Sequence, residues 1–326
     1  MKKIMLISRE EIIKHPILRV ISEKEDVKCS VNVFNHPIRN VLKVLFWKGN
    51  YIVSDPIVAM LCFWRKYSFF SLEMFEYQVE EDKIKNKIRN KIFKIFHFLA
   101  LSRAESIVFP NDVRLNFYVN KYSLNKGKCK IYPNYPSQIV LNQINELLIR
   151  RDNSELSFQN FFSSLGYNIK DSLKGKEIYV YIGTINKGVR GIEKIIESVR
   201  QKKDAFLIFA GPQREKHYML FEKTDHYIYV GSLEHKKALE LLCISKYAFL
   251  YYSTELMNTN YCAPVKLFEY INAGLILISN KCVGMTEYTN VISYFLDEDG
   301  RIKRNQKFKF DARNSMLGLS YEKNFE

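Results

Sequence analysis

No stretch of this 326-residue sequence approaches the roughly 18 unbroken apolar residues needed to span a bilayer. Cysteine is scarce. Cys29, Cys62, Cys129, Cys243, Cys262 and Cys282 are scattered and form no Cys-x-x-Cys, so they read as reduced thiols of a cytoplasmic protein. The six histidines fall at no ligand spacing, which argues against a structural metal. Glycine is also sparse, and where it is missing matters. The first predicted strand, residues 4–8, runs into Ser8-Arg-Glu-Glu11 without a Gly-x-Gly-x-x-Gly turn. A dinucleotide pyrophosphate would have no close backbone approach there, and no Walker lysine loop occurs elsewhere. The opening Met1-Lys-Lys-Ile starts like an export signal, but Arg9, Glu10 and Glu11 cut the apolar run short. There are no solenoid repeats and no low-complexity runs.

What is present is an apolar fraction of 47%, ample for a core, and a formal charge of +15. Residues 1–170 carry net +11 of that charge and the remainder +4, so the first half seeks an anionic partner: nucleic acid, a membrane face or an acceptor. Short apolar strands are predicted at 4–8, 30–34, 51–55, 67–72, 106–110 and 128–133, with helical stretches such as 56–65 and 83–103 between them. The pattern restarts at 178–182, 206–210, 227–230, 248–252, 275–279 and 291–296. Strands alternating with helices predict an α/β protein of two doubly wound parallel sheets, with domains at 1–166 and 167–326. In such sheets ligands meet the carboxyl ends of strands, which nominates Ser8, Asp55, Glu73, Asn111 and Asn134. Each also suits a turn or cap.

Residues 83–99 place Ile84, Ile88, Ile92, Ile95 and Leu99 on one helical stripe, crowded by Lys83, Lys85, Lys87, Arg89, Lys91 and Lys94. Two readings follow: a core-packed helix with a solvated basic back, or a basic amphipathic face for anionic lipid. Phe93 and Phe98 lie off the stripe and favour the second. No helix-turn-helix, RNA-binding or zinc pattern accompanies the charge, so a nucleic-acid partner is not expected.

In the second half, Gly183-Thr-Ile-Asn-Lys-Gly-Val-Arg-Gly191 links a strand end to a helix start, where backbone amides can approach a phosphate. Lys187 and Arg190 lie in this loop. Gly211 and Gly231-Ser232 end the next two strands. Residues 264–274 predict a helix opened by Pro264 and closed by Gly274, with Lys266 and Glu269 on one face and Leu267, Tyr270 and Ile271 on the buried one. A nucleoside diphosphate fits this set: phosphates on Arg190 and Lys266, ribose on Glu269, base against the 230–233 turn. A surface Lys–Glu pair is the alternative.

These segments, in this order and ending in Ala263-Pro-Val-Lys-Leu-Phe-Glu-Tyr-Ile-Asn-Ala-Gly274, resemble the nucleotide-sugar half of the GT-B "group 1" glycosyltransferases, a large retaining family. The resemblance covers about residues 178–288; before it, only the layout and Ile131-Tyr-Pro-Asn134 are similar. It implies two Rossmann-like domains facing a cleft, acceptor on the first and donor on the second, with a terminal segment at 320–326 returning toward the first domain. It implies a donor site of Gly183, Thr184, Lys187, Arg190, Gly211, Gly231, Ser232, Lys266, Leu267 and Glu269. The family's Glu-x7-Glu pair matches at its second member, Glu269, but its first falls on Tyr261. Asp55, Glu73 and Tyr261 are therefore the catalytic candidates. The implied activity is metal-free sugar transfer from a nucleoside-diphosphate sugar to a glycan or lipid-linked acceptor in bacterial surface polysaccharide synthesis. The enzyme would be cytoplasmic and peripheral on the inner membrane face through residues 83–94. Tyr261 keeps open a non-catalytic membrane- or partner-binding scaffold, and a nucleotide-sugar epimerase shares the same layout.

Overall fold

A computed structural model of the chain describes residues 4–8, 18, 21, 27–32, 36–71, 74, 86–167, 173, 175–186, 190–213 and 224–320. The chain divides into two compact units, each built on a parallel sheet.

The first unit contains β1 (Ile4–Ser8), β2 (Val27–Asn32), β3 (Asn50–Val53), β4 (Tyr67–Phe70), β5 (Ser106–Phe109) and β6 (Cys129–Ile131) in the order β2-β1-β3-β4-β5-β6, all parallel. Helices α1 (Pro37–Phe46), α2 (Pro56–Met60), α3 (Asn86–Arg103) and α4 (Asp112–Tyr122) connect them. All four helices bury side chains in one cluster: Val44, Val58, Ala59, Ala100, Leu101, Leu115 and Tyr118 meet Met5, Ile7, Tyr51, Val53, Tyr67, Phe69, Ile107 and Phe109. The helices therefore form one layer on one sheet face.

The face that α3 buries differs from the one periodicity selects. Phe93, His97, Ala100 and Leu101 are buried, whereas Ile92, Ile95 and Phe98 are exposed and Leu99 is half-buried. Ala100 and Ala104 let the helix sit close to the sheet, and the Tyr67 hydroxyl donates to the Ala100 carbonyl at 2.8 Å. His97 is fully buried between the rings of Phe69 and Tyr118, with Nε2 3.3 Å from Ser71 Oγ. Residues 83–85, Ile84 among them, lie outside the described residues, as do the side chains of 86–90.

The second unit comprises Gln138–Glu255 and Pro264–Ser320. Its strands are β7 (Glu177–Ile182), β8 (Ala205–Ala210), β9 (Tyr227–Tyr229), β10 (Tyr247–Leu250), β11 (Ile276–Ser279), β12 (Tyr294–Leu296) and β13 (Ile302–Arg304). They run β13-β12-β11-β10-β7-β8-β9, parallel except for β13, which pairs antiparallel with β12. Strand β8 is buried at every position, as a sheet covered on both faces requires. The helices are α5 (Gln138–Asp152), α6 (Phe158–Ser164), α7 (Ile192–Arg200) and α8 (His235–Ile244), then α9 (Met257–Asn260), α10 (Val265–Asn272) and α11 (Phe310–Asn314). Of these, α9 belongs to the first unit.

The division falls after Ser137, not near Tyr167. Helix α5 buries Leu141, Ile144 and Leu147 and packs on α8, where Arg151 Nη1 also donates to the Cys243 carbonyl at 3.2 Å. The predicted boundary followed a change in composition, whereas the apolar face of α5 is satisfied by the second unit. Leu256–Ala263 packs with the first unit despite its position in the chain. Residues 321–326, and with them the predicted return toward the first domain, lie outside the described residues.

Candidate functional site

In the second sheet the strand order reverses at the β7–β10 pair: β8 and β9 lie beyond β7, and β11 and β12 lie beyond β10. Such a reversal opens a crevice at the strands' carboxyl ends. Three of those ends carry glycine. The Gly183 amide donates to the Ala210 carbonyl at 2.9 Å, and the Gly211 amide donates to the Gly231 carbonyl at 2.8 Å. Gly211 holds φ +134°, and a Cβ there would overlap the Gly183 carbonyl. The close stacking of these ends thus depends on the missing side chain. Thr184 is half-buried, and its carbonyl accepts from the Tyr181 hydroxyl at 3.0 Å, which fixes the start of the loop. Ser232 is exposed beside Gly231.

Helix α10 begins at this edge. Pro264 is its N-cap and supplies no side-chain cap, and Gly274 closes it with φ +80°, its amide donating to Ile271 and that of Leu275 to Tyr270. Lys266 Nζ donates to the Ile182 carbonyl and lies so close to Gly183 that a Cβ there would sit 2.8 Å from it. Burial lowers the Lys266 ammonium to about pKa 8; Glu269 opposes that fall and Arg190 adds to it. Glu269 and Arg190 are thus both near enough to Lys266 for their charges to act on it. Burial outweighs the help from Glu269, so the Lys266 ammonium would gain from a further anion. Leu267 is fully buried in the core, so its side chain is not part of the site; its amide, in the helix's first turn, remains.

Arg190 lies just before Gly191, the left-handed N-cap of α7. Its guanidinium sits 5.3 Å from the Tyr252 ring centre. Asn280 holds that tyrosine's backbone from both sides: its Oδ1 accepts from Tyr252 N at 2.9 Å and its Nδ2 donates to Tyr252 O at 2.7 Å. The Tyr251 ring fills the space over Gly191, where a Cβ would come within 2.5 Å. Lys187 lies outside the described residues.

The sequence reading missed His235. It opens α8, and its Nε2 lies 3.2 Å from Glu269 Oε1. Its one signal was its position just past the Gly231-Ser232 turn, at a helix start on the same sheet edge. Tyr252 and Asn280 were also missed, because 28 residues separate them in the chain.

The first-unit candidates have other work. Asp55 is buried and caps α2, its Oδ1 accepting from Ile57 N at 2.8 Å and Val58 N at 3.0 Å. Asn111 caps α4 and donates from Nδ2 to the Cys262 carbonyl at 2.9 Å. Asn134 Nδ2 donates to the Ala263 carbonyl at 2.9 Å, and Arg114 Nε to the Tyr261 carbonyl at 2.6 Å. Tyr261 rests its ring against Phe117, centres 5.0 Å apart, at the edge of the first unit's core. Tyr261 is thus an aromatic packing residue. The side chain of Ser8, and Glu73 altogether, lie outside the described residues.

No protein-family model matches the chain, and no curated protein matches it by sequence. Solved structures do. Anabaena HepE in complex with UDP and glucose matches with a TM-score of 0.58 at 10% identity, over 97% of this chain and 89% of that one. Sucrose-phosphate synthase from Thermosynechococcus elongatus matches with 0.58 at 10% identity, over 90% and 85%. A glycosyltransferase from Rickettsia africae matches with 0.56 at 11% identity, over 99% and 90%. The chain has the GT-B fold. Within that fold the Lys266–Glu269–Arg190 group belongs to the C-terminal of the two Rossmann-like units, at its point of strand reversal.

Proposed function

We propose that this chain is a glycosyltransferase that takes its sugar from a nucleoside-diphosphate donor. The observation that carries the proposal is buried Lys266 seated against Gly183 and the Ile182 carbonyl at the strand-reversal edge, with Glu269 on the same helix and Arg190 in the loop before α7. The diphosphate would lie against Lys266, Arg190 and the first amides of α10, and the ribose diol would donate to Glu269. His235, within hydrogen-bond distance of Glu269, would orient that carboxylate. The bound UDP in the HepE structure is consistent with such a donor. No metal is proposed: the departing diphosphate's charge falls on these cations and amides, which is electrostatic catalysis.

The finer reading follows the group 1 resemblance. Transfer would retain anomeric configuration, and the acceptor would be a glycan or lipid-linked sugar of a bacterial surface polysaccharide. The enzyme would be cytoplasmic and would work peripherally at an anionic membrane. Isothermal titration of UDP and other nucleoside diphosphates, against the parent and Glu269→Ala, tests the core of the proposal. Binding lost or weakened at least about tenfold in the variant is expected, as for a lost charge-assisted bond. Equal binding would sink it.

A second reading is favoured by Asp55 and Tyr261, which are engaged in capping and packing. A chain that binds donor and transfers nothing would share this donor site. Sugar release or transfer from a radiolabelled donor would eliminate that reading.

A further inference from the structure

The outer face of the first unit's helical layer carries large apolar side chains that point to solvent. Helix α1 presents Ile38, Leu42 and Phe46 at four-residue spacing, one stripe, with Ile38 81% and Phe46 76% exposed. Its Val44 is buried in the core cluster, so the stripe looks away from the sheet. The turn after α2 adds Phe63 and Trp64, the latter 58% exposed, and α3 adds Ile92, Ile95 and Phe98. Since α1, α2 and α3 bury their other sides in the same cluster, these side chains share the outer surface of one layer. Soluble monomers rarely leave so many large apolar groups together in water without a use for them.

The charge on α1, the α2 turn and α3 has one sign, the one exposed carboxylate of the layer's helices being Asp112 at the start of α4. Residues 37–48, 56–66 and 86–103 contain no carboxylate. Arg39, Lys43, Lys48, Arg65, Lys66, Lys91, Lys94 and Arg103 are exposed there. Lys66 reaches Glu105 at 3.3 Å, from just outside these segments. Pairing two copies through this face would set cations against cations, which disfavours a twofold dimer. An anionic bilayer answers both features: acyl chains accept the apolar side chains, headgroups attract the cations, and tryptophan suits the interface. Among the described residues no helix is long and apolar enough to cross a membrane, so the contact would lie in the interfacial plane.

We infer that the outer face of the α1–α3 layer docks on an anionic lipid bilayer, with Ile38, Leu42, Phe46 and Trp64 entering the headgroup–acyl boundary. The inference deepens the membrane contact proposed above by moving its centre from residues 83–94 to α1 and the α2 turn. Its readout is lipid binding, so it stands or falls separately from sugar transfer. Glu73, Glu76, Glu80, Glu81 and Asp82 lie outside the described residues, and full-chain binding includes whatever they contribute.

The test uses the full chain and two vesicle types, phosphatidylcholine alone and an equal mixture with phosphatidylglycerol. A Trp47→Phe background leaves Trp64 as the sole tryptophan reporter. Anionic vesicles should sediment at least about tenfold more protein than neutral ones, shift Trp64 emission to the blue, and lose both effects as salt rises. The combined Ile38→Ser, Leu42→Ser, Phe46→Ser variant should lose at least about tenfold in binding with its thermal midpoint kept. Should that triple change disturb folding, Lys43→Glu gives an independent reading, a loss of at least roughly fivefold. Equal binding to both vesicle types would overturn the inference. So would undiminished binding by both variants, or a lipid-free dimer that the triple change abolishes.

Discussion

The two sheets use their carboxyl edges in opposite ways. In the first unit that edge carries polar side chains, and the backbone consumes them. Asp55 caps α2, Asn111 caps α4, and Asn111, Asn134 and Arg114 hold the carbonyls of Tyr261, Cys262 and Ala263. In the second unit the edge carries glycine at 183, 211 and 231, and Lys266 from α10 moves into the space at Gly183, while Glu269 of the same helix meets His235 of α8 and Arg190 lies in the loop before α7. A short polar side chain at a strand end satisfies its own surroundings first. A glycine leaves room for a longer side chain to arrive from elsewhere.

The comparison can be broken most forcefully at Gly211. Gly211→Ala places a Cβ on the Gly183 carbonyl in a left-handed conformation, so it should cost more than about 3 kcal/mol in chemical denaturation. A near-neutral result would mean that the glycine edge is slack and positions nothing.

Lys266→Met should weaken nucleoside-diphosphate binding at least about a hundredfold by titration calorimetry while raising the free protein's thermal midpoint at pH 7. The two effects oppose each other because burial penalises the ammonium until an anion arrives. The parent's pH dependence carries the same signature. With its pKa lowered to about 8, Lys266 is charged below that pH and neutral above it. Donor affinity should be flat below pH 8 and fall by up to about tenfold per pH unit above it. The stability of the free protein should change in the reverse sense. Between pH 8 and the ordinary lysine range the unfolded chain binds the proton that the folded one has released, so this group's contribution to stability rises with pH. Affinity that is level from pH 7 to 10 would remove Lys266 from the site.

A smaller effect separates capping from catalysis at Asp55. Asp55→Ala should cost about 1 kcal/mol of stability, and Asp55→Asn, which keeps a cap acceptor, less than that. Sugar transfer measured at saturating donor should be unchanged in the Asn variant. A hundredfold loss there with stability intact would make Asp55 a catalytic base and erase the contrast between the two edges. The smallest change expected is His235→Ala, a roughly two- to fivefold loss in nucleotide affinity, since it removes one exposed partner of Glu269.

Much of the architecture could be read in advance. Twelve of the described strands fall within a few residues of the apolar runs that predict them, because parallel strands buried on both faces leave little freedom of pattern. The exception, β13, is short and largely exposed, and its signal was the turn before it: Asp297 Oδ1 accepts from Asp299 N and Arg301 N, and Gly300 is left-handed. Within the candidate site, Lys266, Glu269 and Arg190 were legible because they belong to local patterns. His235, Tyr252 and Asn280 were not, since their roles come from contacts between distant parts of the chain.

Local order in this protein was written in the chain: the alternation of strands and helices, the hard start and stop of α10 at Pro264 and Gly274, and the glycines at the strand ends. These depend on short-range sterics and on burial period, which neighbouring residues share. Tertiary structure alone decided which face of α3 turns inward, to which unit α5 and Leu256–Ala263 attach, and that Tyr261 packs on Phe117. Helix α3 is apolar on more than one side, so periodicity offers several stripes. The choice falls to fit, where Ala100 permits close approach and His97 fills the gap between Phe69 and Tyr118. Shape complementarity between remote segments has no local signature, and in this chain it also turned Ile92, Ile95 and Phe98 outward.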